Sequence, residues 1–319
     1  YGPSVESTRS QPEKIYLGQG FYWILSSNGF WIRKVSYDLL RILNNYSTTY
    51  PPEEWAISLS DSLINLGFFR FAKGVSQLNL TKGNEDFFYF EELNSPVDVE
   101  YDGTQNRIYV LDTNGQGGNE QVHIIRNKLP ERKISLPQGN YRKLYLSTSN
   151  QSLAILGETK YLNLSLSSFA ITDSLVFSAG QIGQDMDASS DTIFVLTSSE
   201  QANMSEIHNI SFDNDATNSL SISGDFYRIT VDATLSQFYL AQDIPSAMDQ
   251  VVKLSKQGTR LLQLTGFEYV GQIGLNPYDQ SIIVVDRVGG RLILYDSDGN
   301  EVSRSQSNSF YDPIRIFIE

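Results

Sequence analysis

The chain contains no cysteine among its 319 residues. Disulfide bonds, thiol nucleophiles and cysteine-ligated zinc are therefore excluded. Only two histidines are present, His123 and His208, and both fall within short β-branched segments. A Ser-His-Asp triad needs a histidine base. The sequence also lacks a Gly-x-Ser-x-Gly elbow, a Gly-rich phosphate loop and a His-Glu-x-x-His helix. It therefore contains no familiar catalytic motif.

Positive charge and long apolar runs are also scarce. The chain has 24 Lys and Arg against 37 Asp and Glu, a formal net charge of −13. A protein this acidic repels phosphate backbones, so we expect no nucleic-acid partner. No apolar run approaches the roughly 18–20 residues that a membrane-spanning helix needs. Residues 1–14 are polar and unpatterned. We interpret them as a flexible tether that precedes a single domain over residues 15–319. In one interpretation, this tether attaches the chain to a membrane.

Helical periodicity is nearly absent, and a strand motif recurs instead about every 40–45 residues. Its clearest copy has four short segments: Val270–Asn276, Ser281–Asp286, Arg291–Asp296 and Asn300–Ser305. Each segment is rich in β-branched residues and is bounded by Gly, Asn, Asp or Ser, which is typical of short antiparallel strands. Repetition of such a unit predicts an all-β chain folded as a β-propeller.

The number and closure of the blades follow from the two ends of the chain. The repeats predict about seven four-stranded blades, with six as the alternative. Asp312–Glu319 matches the inner-strand pattern of Ser95–Asp102, but no further strand pattern follows it. Phe21–Leu43 contains three strand patterns without an inner one. We therefore predict that the C-terminal strand pairs with Phe21–Ser26 and removes the free sheet edges.

The last blade resembles the NHL-repeat class of propellers. The similarity lies in Ile273–Pro277, Ile283–Asp286 and Arg291–Gly299, with a weaker copy in Pro96–Val99 and Ile108–Asp112. This resemblance implies a propeller and implies no particular substrate. The aspartates that end two of these segments, Asp112 and Asp286, are interpreted as turn residues that bond their own backbone.

Strand alternation predicts the residues that line the central channel. If the apolar residues of each inner strand pack between blades, their polar neighbours face the channel. The predicted channel-lining residues are Asp98, Glu100, Lys143, Tyr145, Asp185, Arg228 and Arg315, accompanied by Asp187, Thr230, Gln272 and Phe317. A lactonase-like propeller would hold a divalent cation with convergent carboxylate and amide oxygens. Here cations alternate with acids, so we expect a water-filled, ion-paired channel with no metal and no cofactor.

Two aromatic clusters in the irregular first and second blades suggest a surface for a protein partner. Adjacent aromatic residues on a strand face both sides of the sheet, and aromatic residues and arginine are enriched at protein interfaces. We predict that Trp31, Phe69, Arg70 and Phe88 belong to this surface. The sequence thus favours a non-catalytic, extracytoplasmic scaffold, either periplasmic, outer-membrane-tethered or secreted, that serves as an accessory subunit of a membrane-associated complex. The alternatives are a metal-dependent lactonase or hydrolase with a channel site, and a surface module that binds a small ligand or glycan.

Overall fold

The computed structural model describes most of the chain as β-strand. The described residues are 21–26, 30–39, 41–50, 52, 54–58, 63–68, 74–88, 93–113, 120–189, 191–199, 201, 203–212, 217–232, 234, 236–245, 247–306, 310 and 313–318. Within these ranges there are 28 strands and no helix, so no helix there is suited to crossing a membrane. The predicted tether, residues 1–14, lies outside the described residues.

The strands form seven antiparallel sheets of four strands each, which confirms the all-β propeller with seven blades. Blade 1 contains β1 (Phe21–Ser26), β2 (Trp31–Ser36), β3 (Ile42–Ser47) and the C-terminal β28 (Pro313–Ile318). Blade 2 contains β4 (Glu54–Ser58), β5 (Leu63–Phe68), β6 (Gly74–Asn79) and β7 (Asn84–Phe88). Blade 3 contains β8 (Pro96–Asp102), β9 (Arg107–Asp112), β10 (Gln121–Arg126) and β11 (Leu129–Ser135).

The remaining blades repeat the same meander. Blade 4 contains β12 (Tyr141–Ser147), β13 (Ser152–Gly157), β14 (Lys160–Ser165) and β15 (Ile171–Val176). Blade 5 contains β16 (Ile182–Ala188), β17 (Thr192–Ser199), β18 (Met204–Ser211) and β19 (Thr217–Ser223). Blade 6 contains β20 (Asp225–Asp232), β21 (Gln237–Asp243), β22 (Asp249–Ser255) and β23 (Arg260–Phe267). Blade 7 contains β24 (Val270–Leu275), β25 (Ile282–Asp286), β26 (Arg291–Tyr295) and β27 (Glu301–Arg304).

The ring closes through the two ends of the chain. Strand β28 pairs antiparallel with β1, and Ile316 lies opposite Ile24 in the register. The C-terminal strand is thus the inner strand of the blade that the N-terminal strands begin, as the sequence predicts. The closed ring leaves no inner strand without a hydrogen-bonded neighbour among the seven sheets.

Seven apolar clusters of described residues hold the blades together, one at each interface between neighbouring blades. The cluster between blades 7 and 1 joins Ile283 and Val285 to Tyr22 and Ile24. Each sheet packs on both faces, so some middle strands are buried along their whole length, as β13 and β25 are. A continuous apolar run therefore marks a strand such as β25, whereas the middle strand β18 alternates between buried and half-buried residues. Each buried Val, Leu or Ile contributes about 1.5–3 kcal/mol.

The structure differs from the sequence prediction at the outer strand of blade 1. The predicted strand Leu39–Leu43 lies instead at Ile42–Ser47. Leu39 has a φ of 61°, and its N–H donates to Ser36 O at 2.9 Å in a turn. A turn at this point moves the start of the strand by three residues. In blade 2 the predicted inner strand Trp55–Leu59 lies one residue earlier, at Glu54–Ser58.

Asp112 is more than a turn residue. Its carboxylate accepts hydrogen bonds from the backbone N–H groups of Asn94 at 3.1 Å and Ser95 at 2.6 Å. It also lies 3.3 Å from Nε2 of His123, and both side chains are buried. Burial raises the pKa of Asp112, but His123 and the two backbone donors outweigh burial and hold this pKa below its usual value. Asp112 therefore anchors the loop that leads into β8.

Asp286 combines the predicted turn contact with a similar anchor. It accepts from Gly289 N at 3.3 Å within its own turn. It also accepts from Glu268 N at 3.1 Å and Tyr269 N at 3.2 Å. The two aspartates thus hold the loops that precede their own inner strands.

We expect Asp112→Ala to lower the free energy of unfolding by about 2–4 kcal/mol, because the buried His123 and the N–H groups of Asn94 and Ser95 then lose their carboxylate acceptor. Denaturant unfolding of this variant measures the loss, and Asp298→Ala, at an exposed turn, should change stability by less than about 0.5 kcal/mol. Since the folded-state pKa is lowered, the Asp112 contribution is present above the ordinary aspartate pKa. It is lost as pH falls through the lower folded value. Equal stability of the two variants would contradict the anchoring role.

Candidate functional site

A β-bulge recurs at one register in the inner strands of blades 3 to 7. Each inner strand skips one residue in its pairing with the next strand of its blade. Bulges of this kind change the direction of the side chains that follow them. The residues directly after the five bulges are Asp98, Lys143, Asp185, Arg228 and Gln272. We call these five residues the belt.

The belt satisfies backbone groups that the inner strands expose to the channel. One edge of each inner strand pairs within its blade, and the other edge carries N–H and C=O groups without a ladder partner. Asp98 Oδ2 accepts from Leu144 N of the next blade at 2.6 Å. Asp185 Oδ2 accepts from Ile229 N at 3.1 Å. Belt acids therefore cap the N–H groups of the neighbouring inner strand.

Belt cations cap the carbonyl groups in the same way. Lys143 Nζ donates to Met186 O at 2.9 Å, and Arg228 Nε donates to Gly271 O at 2.9 Å. Lys143 also forms an ion pair with Asp185. Burial raises the pKa of Asp185, but Lys143 and Arg228 together hold it below its usual value. The charged side chains of the belt thus bind backbone groups of the neighbouring inner strand.

The remaining predicted channel residues lie in the belt, on strand β28 and at a second level of the channel. Gln272, the neutral member of the belt, accepts from Ile316 N of β28 at 2.7 Å. Strand β28 has the same register shift, directly before Arg315, but the side chains of Arg315 and Phe317 lie outside the described residues. The other predicted residues form a second level, two positions further along each inner strand.

We call this level the second ring, and it consists of Glu100, Tyr145, Asp187, Thr230 and Gly274. Thr230 Oγ1 donates to Ile273 O at 2.8 Å. Asp187 accepts from Val231 N at 2.8 Å and from Ala188 N at 2.9 Å. Gly274 is the member that the sequence prediction missed, and its position two residues after Gln272 in the repeat is the signal that identifies it.

A cavity of about 410 Å³ lies in the channel against the second ring and every belt residue except Asp98. Its lining includes Glu100, Lys143, Tyr145, Asp185, Asp187, Arg228, Thr230, Gln272, Gly274, Pro277 and Ile316. Pockets of about 300–1,000 Å³ that combine apolar walls with a few convergent polar groups are typical of small-molecule sites. The channel therefore offers room for one small ligand.

Two ionisable groups of the second ring, Asp187 and Tyr145, have raised pKa values. Burial raises the pKa of Asp187, and this effect outweighs the N–H donors and Lys143, which lower it. Burial raises the pKa of Tyr145 as well, and the charges of Asp187 and Glu100 raise it further. Tyr145 therefore remains a hydroxyl donor at neutral pH. Asp187 is a stronger base than a solvent-exposed aspartate, which is a common property of catalytic carboxylates.

The described channel residues are not arranged to hold a divalent cation. In the described part of the chain, no three His, Cys, Asp or Glu side chains lie close enough together to hold a metal ion. The cations Lys143 and Arg228 lie at the same cavity and repel a metal ion.

Two of the residues predicted to bind a partner are buried. Trp31 is 6% exposed and Phe88 is 9% exposed. Trp31 packs against Phe310 with ring centroids 5.8 Å apart, and Phe88 belongs to the cluster between blades 2 and 3. Neither presents a free surface to a partner. Phe69 and Arg70 lie outside the described residues.

Comparison with known proteins supports the fold at low sequence identity. No protein-family model matches the chain, and no curated protein does. A protein from Lactobacillus plantarum has a TM-score of 0.73 at 12% identity, covering 94% of this chain and 99% of its own. A proposed 6-phosphogluconolactonase from Bacteroides fragilis has a TM-score of 0.71 at 9% identity, covering 97% and 100%. Hydrazine synthase from Kuenenia stuttgartiensis has a TM-score of 0.71 at 11% identity, covering 92% and 100%.

These similarities correct the expectation of a non-catalytic scaffold. Solved structures with this architecture include the proposed lactonase and hydrazine synthase, so the absence of a familiar catalytic motif does not indicate a scaffold. The buried aromatic residues remove part of the evidence for a partner surface. At identities of 9–12% the similarity establishes the fold and not the activity. The chain shares the propeller architecture of these proteins.

Proposed function

We propose that the protein hydrolyses a small lactone in its central channel. The observation that carries this proposal is the half-buried Asp187, whose pKa is raised, at a cavity that also contains Tyr145 and Arg228. The shared fold with a proposed 6-phosphogluconolactonase supports the lactone as the substrate class. We also propose that blade 7 belongs to the NHL-repeat class, and this class indicates no particular substrate.

The proposed reaction needs a base, a group that stabilises an oxyanion and a proton for the leaving oxygen. Asp187 takes a proton from water as the water oxygen bonds to the lactone carbonyl carbon, and the carbonyl electron pair moves to its oxygen. When the carbonyl re-forms, the ring C–O bond breaks. The ring oxygen then receives the proton that Asp187 held. One water is consumed, the base is regenerated, and the product is a hydroxy acid.

Tyr145 has a binding role in this scheme. Its raised pKa keeps its proton on the hydroxyl, which therefore donates a hydrogen bond to a ligand oxygen in the cavity. Within the described residues no hydrogen bond of this hydroxyl is present. Glu100 lies at the same cavity and accepts hydrogen bonds from ligand hydroxyls. These groups suit a polyhydroxylated substrate such as a sugar lactone.

The test is acid release from a panel of aldonolactones, with and without a phosphate substituent, by the purified chain. We expect hydrolysis of at least one lactone above its spontaneous rate. The rate should persist after treatment with a chelator, because the proposed base is a carboxylate and because Lys143 and Arg228 at the same cavity repel a metal ion. Spontaneous rates across the whole panel would refute the proposal. Activity that a chelator abolishes and a divalent cation restores would refute Asp187 as the base.

A further inference from the structure

Arg228 has hydrogen-bonding capacity that the fold does not use. Its Nε donates to Gly271 O at 2.9 Å, which fixes the guanidinium plane across the interface between blades 6 and 7. Its two terminal nitrogens make no hydrogen bond with any described residue, and it forms no ion pair within that part of the chain. The side chain nevertheless lines the channel cavity. A planar pair of N–H donors thus remains available to a ligand.

The nearby acid does not neutralise these donors. Arg228 lowers the pKa of Asp185 through its charge, but the Asp185 carboxylate is already paired with Lys143 and accepts from two backbone N–H groups. The other acids at the cavity, Glu100 and Asp187, belong to the second ring. A guanidinium pair of donors matches two oxygens of an oxyanion.

We propose that Arg228 binds the acyl group of the ligand: the carbonyl oxygen of the lactone, the oxyanion of the tetrahedral intermediate and the carboxylate of the product. This inference rests on the proposed lactone hydrolysis and makes Arg228 a catalytic residue. The donors are held in place by the bond to Gly271 before substrate arrives, so charge that develops on the acyl oxygen meets fixed donors. The product carboxylate uses both donors and acts as an inhibitor.

Binding of D-gluconate tests this inference separately from catalysis. Titration calorimetry on the full chain compares gluconate, inorganic phosphate and the uncharged polyol sorbitol. We expect saturable gluconate binding that exceeds phosphate and sorbitol binding, and that Arg228→Gln weakens about 10–100-fold. Arg142→Gln, the same charge change at an exposed residue of blade 4, serves as the matched control and should not alter it. Arg228→Lys keeps the charge without the paired donors, and it provides a second variant if the first does not fold.

Each outcome bears on a different claim. Equal gluconate affinity in wild type and Arg228→Gln, or no gluconate binding by wild type, overturns the inference. Binding of phosphate that is tighter than binding of gluconate and depends on Arg228 also overturns it, because the Arg228 donors then bind a phosphate substituent and not the acyl group. Arg228-dependent gluconate binding without hydrolysis of any lactone supports the oxyanion site and refutes the proposed function. When lactone is hydrolysed, Arg228→Gln should lower kcat more than it raises KM.

Discussion

Asp187→Asn should lower kcat/KM for lactone hydrolysis about 10²–10³-fold, because an amide cannot take the proton of the attacking water. The substitution keeps the side-chain shape and one oxygen. It can retain the hydrogen bond from Val231 N or the one from Ala188 N. The loss should therefore appear in the rate at saturating substrate while the thermal unfolding midpoint changes modestly. Steady-state kinetics and thermal unfolding on the same preparations separate the two effects.

The pH dependence of the wild-type rate provides a second readout of the same residue. A base must be deprotonated to act, so activity is lost as pH falls through the pKa of Asp187. Burial holds this pKa above the usual value, and the acid limb of the kcat/KM profile should lie above the ordinary aspartate range. Asp191→Asn is the same change at an exposed position of blade 5 and should retain wild-type activity. Unchanged activity in Asp187→Asn would show that another group is the base.

Deletion of residues 312–319 should prevent the chain from folding into a stable propeller. The deletion removes β28, the partner of β1, and exposes Ile24 and Tyr22, which are 0% and 1% exposed in the intact protein. It also removes Ile316 from the core between blades 7 and 1. Three large apolar side chains at about 1.5–3 kcal/mol each approach the whole stability of an ordinary domain, about 5–15 kcal/mol. The open sheet edge adds a tendency to aggregate.

Size-exclusion chromatography and thermal unfolding measure the effect of the deletion. Removal of residues 1–14 is the control at the other end, and the sequence predicts that it leaves the unfolding midpoint unchanged. A C-terminally deleted chain that remains monomeric and melts with the intact protein would contradict closure through β28.

The repeat pattern was sufficient to predict the architecture. Blade number depends on the spacing of polar turns between β-branched runs, and both signals are local. The ends of the chain could be matched because Asp312–Glu319 repeats the inner-strand pattern of Ser95–Asp102. The alternation of side chains along the inner strands also predicted which residues lie together in the channel. In the structure, one cavity is lined by Lys143, Asp185 and Arg228.

Other features depend on contacts that no local pattern reveals. The bulge before each belt residue inserts one residue into the pairing, and its partner strand must be known before it can be seen. From the sequence, the opposite charges of the channel residues predicted only ion pairs. In the structure, the belt residues also form hydrogen bonds with backbone groups of the neighbouring blade. Trp31 and Phe88 were predicted to face a partner because their sequence does not show the neighbouring blades that bury them.

The most direct measurement is a crystal structure of the Asp187→Asn variant with a lactone that the wild type hydrolyses. The proposed chemistry predicts ligand density in the channel cavity, with the acyl oxygen at the terminal nitrogens of Arg228. A ring oxygen or hydroxyl should lie within hydrogen-bond distance of Tyr145. Ligand bound elsewhere on the propeller, with the channel containing only water at saturating ligand concentration, would contradict the channel as the site of the reaction.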